Sequence, residues 1–265
     1  VLDARQIKAL AGGQSPINAE PADDDEDGIP DGFELALVGN TTDLGGDAAG
    51  KSLGVSFNSN RGNAEATMDA DTVAGVVPST GWISTNGDTD GASGSISNGG
   101  LNIDWSSNGT WNTNNGGGNG DNKLMNGYID AIGGEGASQV ALSGINAEFA
   151  DGYDLYVYFG SDGNNRTGKV QLVDGATYSF NTFSQQGGDF PAQYTRTTDE
   201  GDANPQANYA LYEGLSGDSQ TLNIIRGSNN SGFHGIQIVS PGDYDGDGLS
   251  DLAEYEGVTS PIVAD

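Results

Sequence analysis

Two acidic segments near opposite ends of the chain contain carboxylates at the spacing that a hard divalent cation requires. The predicted ligands are Asp23, Asp25, Asp27, Ile29, Asp31 and Glu34 in the first loop and Asp243, Asp245, Asp247, Leu249, Asp251 and Glu254 in the second. A twelve-residue calcium loop supplies side-chain oxygens at positions 1, 3 and 5, a backbone carbonyl at 7, a direct or water-mediated contact at 9 and a bidentate Glu at 12. Both loops fit this pattern throughout and place Gly at position 6, where the chain turns sharply. The sequence therefore predicts at least two bound Ca²⁺ ions.

The residue types in these loops argue against other cations. Magnesium prefers a smaller, more rigid octahedron and keeps several waters. Zinc prefers His and Cys, and the chain has one histidine, His234, and no cysteine. The alternative interpretation is a solvated acidic turn. This interpretation is disfavoured, because both loops match the calcium-loop pattern at every ligand position. Extracellular modules of this kind bind calcium at about 10⁻⁴ to 10⁻³ M, which suits a structural ion better than a cytosolic sensor.

The two loops also resemble a known class of calcium-binding repeat. The segments DDDEDGIPDGFE and DYDGDGLSDLAEYEGVTSPIVAD resemble thrombospondin type 3 repeats and the related dockerin-like loops of bacterial surface proteins. The resemblance implies tandem calcium-stabilised linkers rather than catalysis. In a true dockerin the two loops are adjacent, whereas here residues 35–242 separate them. This departure argues against docking of the cohesin type.

A short sequence repeat connects the two ends of the chain. The string SPINAE at residues 15–20 aligns with SPIVAD at residues 260–265, at an offset of 245 residues. The same offset aligns Gly12 with Gly257 and Ile7 with Leu252, so the predicted N-terminal helix corresponds to the helix after the second loop. We therefore expect the two ends of the sequence to correspond to the same part of one repeating linker unit. We expect its partners to be neighbouring modules or copies of itself, arranged head-to-tail.

Composition narrows the classes of partner and compartment. Thirty-eight acidic and nine basic residues among 265 give a formal charge of −29, which makes nucleic acid and anionic lipid poor partners. The absence of cysteine excludes disulfides and thiolate metal sites. No apolar run approaches the roughly 18 to 20 residues of a membrane span, and no signal-peptide pattern opens the chain, so any export signal would already be removed. We expect an extracellular or cell-surface protein, secreted by a bacterium, without membrane insertion.

The central part of the chain reads as many short strands separated by turns rich in Gly, Asn and Asp. Runs with period-2 alternation begin at Leu53, and no helical pattern of ten residues lies between them. Further strands are predicted at 74–77, 94–97, 101–105, 124–131, 139–142, 153–159, 169–173, 177–180, 208–212, 220–225 and 235–239. This pattern predicts an all-β fold, an antiparallel β-sandwich of jelly-roll type with short calcium-loop and helix segments at both ends. The predicted segments are 1–50, 51–240 for the sandwich, and 241–265.

Weaker signals have two interpretations each. Asp88, Asp90 and Asp162 could hold a third cation on a rim of the sandwich, but turn chemistry explains these residues equally well. His234 precedes a strand and has no Ser or Cys partner motif, so a structural role is expected.

The three tryptophans could offer flat faces for sugar rings. Trp105 alternates with Ile103 and is expected to face the core. Trp111, next to an Asn- and Gly-rich stretch, is the best candidate for an exposed aromatic residue, ahead of Trp82.

These observations support two functional hypotheses and leave a third open. The first is a non-enzymatic structural or adhesion module, a unit of a modular surface protein or extracellular filament whose joints calcium rigidifies. The second is a carbohydrate-binding module of a secreted polysaccharide-processing protein, with Trp111 contacting the glycan. The third is a hydrolase with two catalytic carboxylates, for which no sequence feature selects a pair.

Overall fold

The structure is a computed structural model, and it describes residues 51–58, 67–69, 71–85, 93–107, 109–113, 118–131, 133–150, 152–183, 190 and 193–240. Within this part of the chain, residues Ser52–Val239 form one compact unit. Its strands are β1 (Ser52–Ser56), β2 (Trp82–Ser84), β3 (Ser93–Asn98), β4 (Leu101–Ser106), β5 (Thr110–Asn112), β6 (Gly127–Asp130), β7 (Gln139–Ser143), β8 (Tyr153–Gly160), β9 (Thr167–Leu172), β10 (Thr177–Asn181), β11 (Tyr209–Leu215), β12 (Ser219–Arg226) and β13 (Gly232–Val239). A short helix, α1 (Gly120–Leu124), precedes β6, and a 3-10 turn spans Ile145–Ala147.

The strands form two sheets. The first sheet has the order β11-β8-β13-β1-β2, with β6 pairing β13 and β5 pairing β6. The second sheet has the order β10-β9-β12-β7-β4-β3. Among the strand pairs of the described residues, β1 with β2 is the parallel one and the others are antiparallel. The expected all-β sandwich is therefore confirmed.

One apolar core lies between the two sheets. In β8, alternate residues Tyr153, Leu155, Val157 and Phe159 point inward and are fully buried, as the period of 2 in this strand predicts. Ring contacts join the sheets directly: Phe159 stacks on Phe180 with centroids 4.0 Å apart, and Tyr178 lies 5.3 Å from Tyr212. Burial of each such side chain stabilises the fold by about 1.5 to 3 kcal/mol, so these pairs fix how the sheets face each other.

A second apolar cluster covers part of the outer face of the first sheet. It contains Met68, Ala74, Trp82, Leu124, Met125, Tyr158 and Phe190. The Trp82 ring lies directly over Gly54, where a side chain would collide with the indole. Trp82 Nε1 donates to the carbonyl oxygens of Ala74 and Ser79, both at 3.1 Å. The first sheet is therefore buried on both faces in this region.

Most of the predicted strands are present, and two predictions are wrong. Residues 74–77 form a turn joined by an Ala74 to Ser79 bridge, because Gly75 has a φ of +102° and Pro78 follows. The predicted strand 124–131 begins late, since residues 120–124 are helical and Asn119 caps that helix by accepting from the Asn122 N–H at 2.9 Å. The short strands β2 and β5 have three residues each and were missed by the sequence pattern.

Candidate functional site

The predicted calcium loops lie outside the described residues. This applies to Asp23, Asp25, Asp27, Ile29, Asp31 and Glu34 in segment 1–50, and to Asp243, Asp245, Asp247, Leu249, Asp251 and Glu254 in segment 241–265. The two predicted Ca²⁺ ions accordingly remain predictions. Asp88 and Asp90 lie outside the described residues as well.

The structure does describe the positions where the two acidic segments join the sandwich. Ser52 at the start of β1 is the register partner of Val239 at the end of β13. The Ser240 N–H donates to the Lys51 carbonyl oxygen at 2.9 Å, which continues the ladder by one step. Both segments are thus covalently attached to neighbouring strands at one place.

Asp162, the third weakly predicted cation ligand, is already engaged by protein groups. Its carboxylate forms a salt bridge with Arg166 and accepts from the Tyr128 hydroxyl at 3.0 Å. Arg166 also donates to the Asn230 carbonyl oxygen at 3.0 Å, which connects two loops. A guanidinium therefore occupies the position next to Asp162 where a cation would bind, in agreement with the turn interpretation.

The three tryptophans differ in how far they are exposed to solvent. Trp82 is 2% exposed and belongs to the second cluster, so its face is not accessible to a ligand. Trp105 packs against the main core and meets Phe57 edge-on at 6.0 Å. Trp111 is 42% exposed on β5 and is the register partner of Tyr128. The expectation that Trp105 faces inward and Trp111 outward is confirmed.

His234 is fully buried at a bulge in β13, which excludes direct contact with a solvent-borne substrate. Its Nδ1–H donates to the Gly127 carbonyl oxygen at 2.8 Å, and its ring packs edge-on against Tyr128 at 5.2 Å. The other ring nitrogen, Nε2, is buried and has no hydrogen-bond partner among the described residues. Burial lowers the pKa of His234 from 6.5 to about 4, although the bond to Gly127 opposes this shift. The imidazole is therefore neutral at physiological pH.

Sequence reasoning missed an aromatic surface on the outer face of the first sheet. Tyr156 on β8 and Tyr209 on β11 lie on this face with ring planes 25° apart and centroids 6.4 Å apart. Tyr194 stands almost perpendicular to Tyr209, at 89° and 6.3 Å. All three rings are half-buried, in contrast to the fully buried Tyr158 beside them. We call Tyr156, Tyr194 and Tyr209 the tyrosine surface.

Charged side chains border the tyrosine surface. Arg196, the bridge partner of Tyr209, donates to Glu213 Oε2 at 2.7 Å. Asp154, two residues before Tyr156 on β8, accepts from the Gly214 N–H at 2.7 Å. Burial raises the pKa of Asp154, and the nearby Glu213 carboxylate adds to the increase. Burial and the charge of Asp154 likewise raise the pKa of Tyr156, so its phenol stays protonated and can donate a hydrogen bond.

A signal for this surface was present in the sequence. In YDLYVYFG the apolar residues Leu155 and Val157 face the core, so Tyr156 and Tyr158 must share the opposite face. The sequence pattern did not indicate that Tyr209 lies beside them, because that proximity depends on the pairing of β11 with β8.

Two further features are absent from the described ranges. There, no group of three or more His, Cys, Asp or Glu side chains is arranged to hold a metal ion. Within the same ranges, no helix has the length and apolar character needed to cross a membrane.

No protein-family model matches the chain, and no curated protein matches it in sequence. The likeness of the acidic loops to thrombospondin type 3 repeats therefore depends on the motif residues alone.

Proposed function

We propose that this protein is a non-enzymatic, secreted or cell-surface calcium-binding module with a structural or adhesive role, in which calcium rigidifies the linkers that carry a β-sandwich. The observation that carries the proposal is the pairing of β1 with β13 up to Lys51 and Ser240, at 2.9 Å. Because both acidic segments join the sandwich at this one place, ordering of either loop by Ca²⁺ restrains the same attachment point. The sandwich is then the displayed part of a modular surface protein or extracellular filament.

The strand order supports a sandwich of jelly-roll type. The eight strands β1 and β7–β13 occupy neighbouring positions β11-β8-β13-β1 in one sheet and β10-β9-β12-β7 in the other. From β10 onward each connection crosses to the opposite sheet, as double-sheet jelly rolls do. Such sandwiches present loops at both ends and a broad face on each sheet, which suits display and recognition.

A non-enzymatic role is supported by the state of the one histidine. His234 is fully buried and neutral and is hydrogen-bonded to a backbone carbonyl, so it does not present a general base to solvent. Asp162, the weakly predicted cation ligand, forms a salt bridge with Arg166.

Chelation tests the calcium proposal. The full chain is melted in millimolar Ca²⁺ and again in excess EGTA, with Mg²⁺ added to control for ionic strength. We expect a lower melting temperature in EGTA, because the unpaired carboxylates then repel one another and a ligand that binds only the folded state is lost. Asp25→Asn and Asp245→Asn should reduce the calcium response, whereas Asp174→Asn in the exposed β9–β10 turn should not. A melting temperature that is equal with and without EGTA would contradict a structural ion.

A carbohydrate-binding module is the second candidate, and the exposure of Trp111 favours it. A large aromatic side chain that is 42% exposed on a regular strand provides a flat face for a sugar ring. A glycan array probed with wild type and with Trp111→Ala separates the two candidates. A purely structural module should give no glycan signal in either the wild type or the Trp111→Ala variant.

A further inference from the structure

We infer that the tyrosine surface of the first sheet is a binding subsite for a neutral saccharide ring, with Tyr156 as its central contact. The inference rests on the second candidate function, carbohydrate binding, and assigns it a location different from Trp111.

We call the two near-parallel rings of Tyr156 and Tyr209 the floor of the site and the Tyr194 ring its wall. Tyr156 and Tyr209 come from paired strands, and their planes differ by only 25°. Tyr194 stands at 89° to Tyr209, with the ring centroids 6.3 Å apart. A pyranose has an apolar face of C–H groups that packs well on the electron-rich face of an aromatic ring. A wall at right angles to the floor restricts how that ring can lie.

This arrangement is held by packing beneath it. Tyr158, which is fully buried, contacts Tyr209 at 6.5 Å and Tyr194 at 5.4 Å. The Tyr158 hydroxyl donates to Gln237 Oε1 at 2.7 Å and accepts from the Val76 N–H at 2.8 Å. Tyr194 is fixed in turn by donating its hydroxyl to Asp121 Oδ1 at 2.6 Å. The wall and its support are therefore preorganised, which reduces the entropic cost of binding.

The polar groups at the edge match the hydroxyl groups of a sugar. Asp154 uses one carboxylate oxygen, Oδ1, for the Gly214 N–H. The Tyr156 hydroxyl makes no hydrogen bond to any residue that the structure describes. Arg196 bonds Glu213 through Nη2, and its side chain is 21% exposed. The carboxylate, the guanidinium and the phenol together offer hydrogen-bond acceptors and donors to neighbouring sugar hydroxyls. Small-molecule sites typically combine an aromatic surface with a small number of such polar groups.

The charge of the site favours a neutral ligand. Two carboxylates, Asp154 and Glu213, accompany one guanidinium, Arg196, and the whole chain carries −29. The two carboxylates of the site and the net negative charge of the chain would both repel a uronate or a sulfated sugar. The site should therefore prefer neutral polysaccharides to acidic ones.

Affinity measurements with defined probes test the assignment. The full chain in Ca²⁺ is titrated with four neutral soluble polysaccharides, a β-1,3-glucan, a β-1,4-mannan, a xylan and an α-1,4-glucan, and with alginate as the acidic probe. For a neutral probe that binds, we expect Tyr156→Ala to weaken binding about tenfold or more, as loss of a central aromatic contact does. Tyr156→Phe keeps the ring and should stay within about threefold of wild type, since it loses one uncharged hydrogen bond. Val173→Ala, at an exposed apolar residue of the β9–β10 turn, is the matched control.

Each result separates the two levels of the proposal. Loss in Tyr156→Ala with retention in Tyr156→Phe and Val173→Ala supports the subsite, provided that all variants melt like wild type. Wild-type affinity in Tyr156→Ala overturns the subsite, and a loss in Trp111→Ala would then still support carbohydrate binding elsewhere. Alginate binding tighter than every neutral probe overturns the charge argument and with it the assignment. A wild-type chain that binds no probe overturns both the subsite and the second candidate function.

Discussion

The outer faces of the two sheets differ although both sheets contribute alternate residues to the same core. The first sheet carries Trp82, Tyr156 and Tyr158 outward, and loops cover part of that face. The second sheet carries a row of amides outward, in which Gln139 donates to Asn223 at 3.1 Å and Asn223 donates to Gln171 at 2.8 Å. One outer face is thus an aromatic layer and the other a polar, cross-linked surface. The proposed saccharide subsite lies on the aromatic face, and the polar face serves as its comparison.

The largest expected effect comes from removing the aromatic layer. Trp82→Ala should lower the free energy of unfolding by about 3 to 5 kcal/mol, because a buried indole leaves a cavity against Gly54 and Tyr158. Urea denaturation of wild type and variant gives this difference. Trp111→Ala removes an exposed indole and should change the free energy by no more than about 0.5 kcal/mol. Equal losses in the two variants would remove the distinction between a covered and an open aromatic residue.

An intermediate effect should follow from pH, through His234. Its pKa in the folded protein, about 4, lies below the ordinary 6.5, so the unfolded chain binds the proton more tightly. The stability that His234 contributes is therefore complete above pH 6.5 and declines as pH falls toward 4, by roughly 1 kcal/mol per pH unit and about 3 kcal/mol over the whole interval. Urea denaturation at pH 7.5, 6.5 and 5.5 measures the slope. His234→Gln should flatten it between pH 6.5 and 5.5, and an unchanged slope would show that other groups cause it.

The smallest expected effect lies on the polar face. Asn223→Ala removes both cross-strand amide bonds of a residue that is 2% exposed, and should cost about 1 to 2 kcal/mol. Thr221→Ala, two residues earlier on the outward side of β12, is the control and should change stability by less than about 0.5 kcal/mol. A loss for Asn223→Ala as large as that for Trp82→Ala would mean that the two faces contribute equally.

Much of the fold could be predicted from the sequence because strand periodicity is local. In β8 and β12, alternation of apolar and polar residues indicated both the strand and the inward side. The errors occurred where local pattern and backbone requirements conflict. Residues 74–77 have the composition of a strand, but Gly75 and Pro78 turn the chain. Strands β2 and β5 are too short to show a period and are held by pairing with β1 and β6.

The candidate sites could be predicted from the sequence to different degrees, because some depend on nearby residues and others on strand pairing. The inward position of Trp105 was predicted from its alternation with Ile103, and the exposure of Trp111 from the adjacent Asn- and Gly-rich stretch. The tyrosine surface does not, because Tyr156 and Tyr209 are separated by residues 157–208 and meet only through the pairing of β8 with β11. The predicted calcium loops are the opposite case, since all the predicted ligands of each loop fall within twelve consecutive residues.

By itself, the sequence determined the all-β class, the likeness of both acidic segments to calcium-binding loops and the strongly negative charge. These features depend on composition, on spacing within a few residues and on strand periodicity. Only the tertiary structure decided that both acidic segments join neighbouring strands, that one outer face is aromatic while the other is polar, and that the rings of Tyr156 and Tyr209 lie side by side. Those relations arise from which strands pair, and strand pairing is set by packing between residues that are distant in the chain.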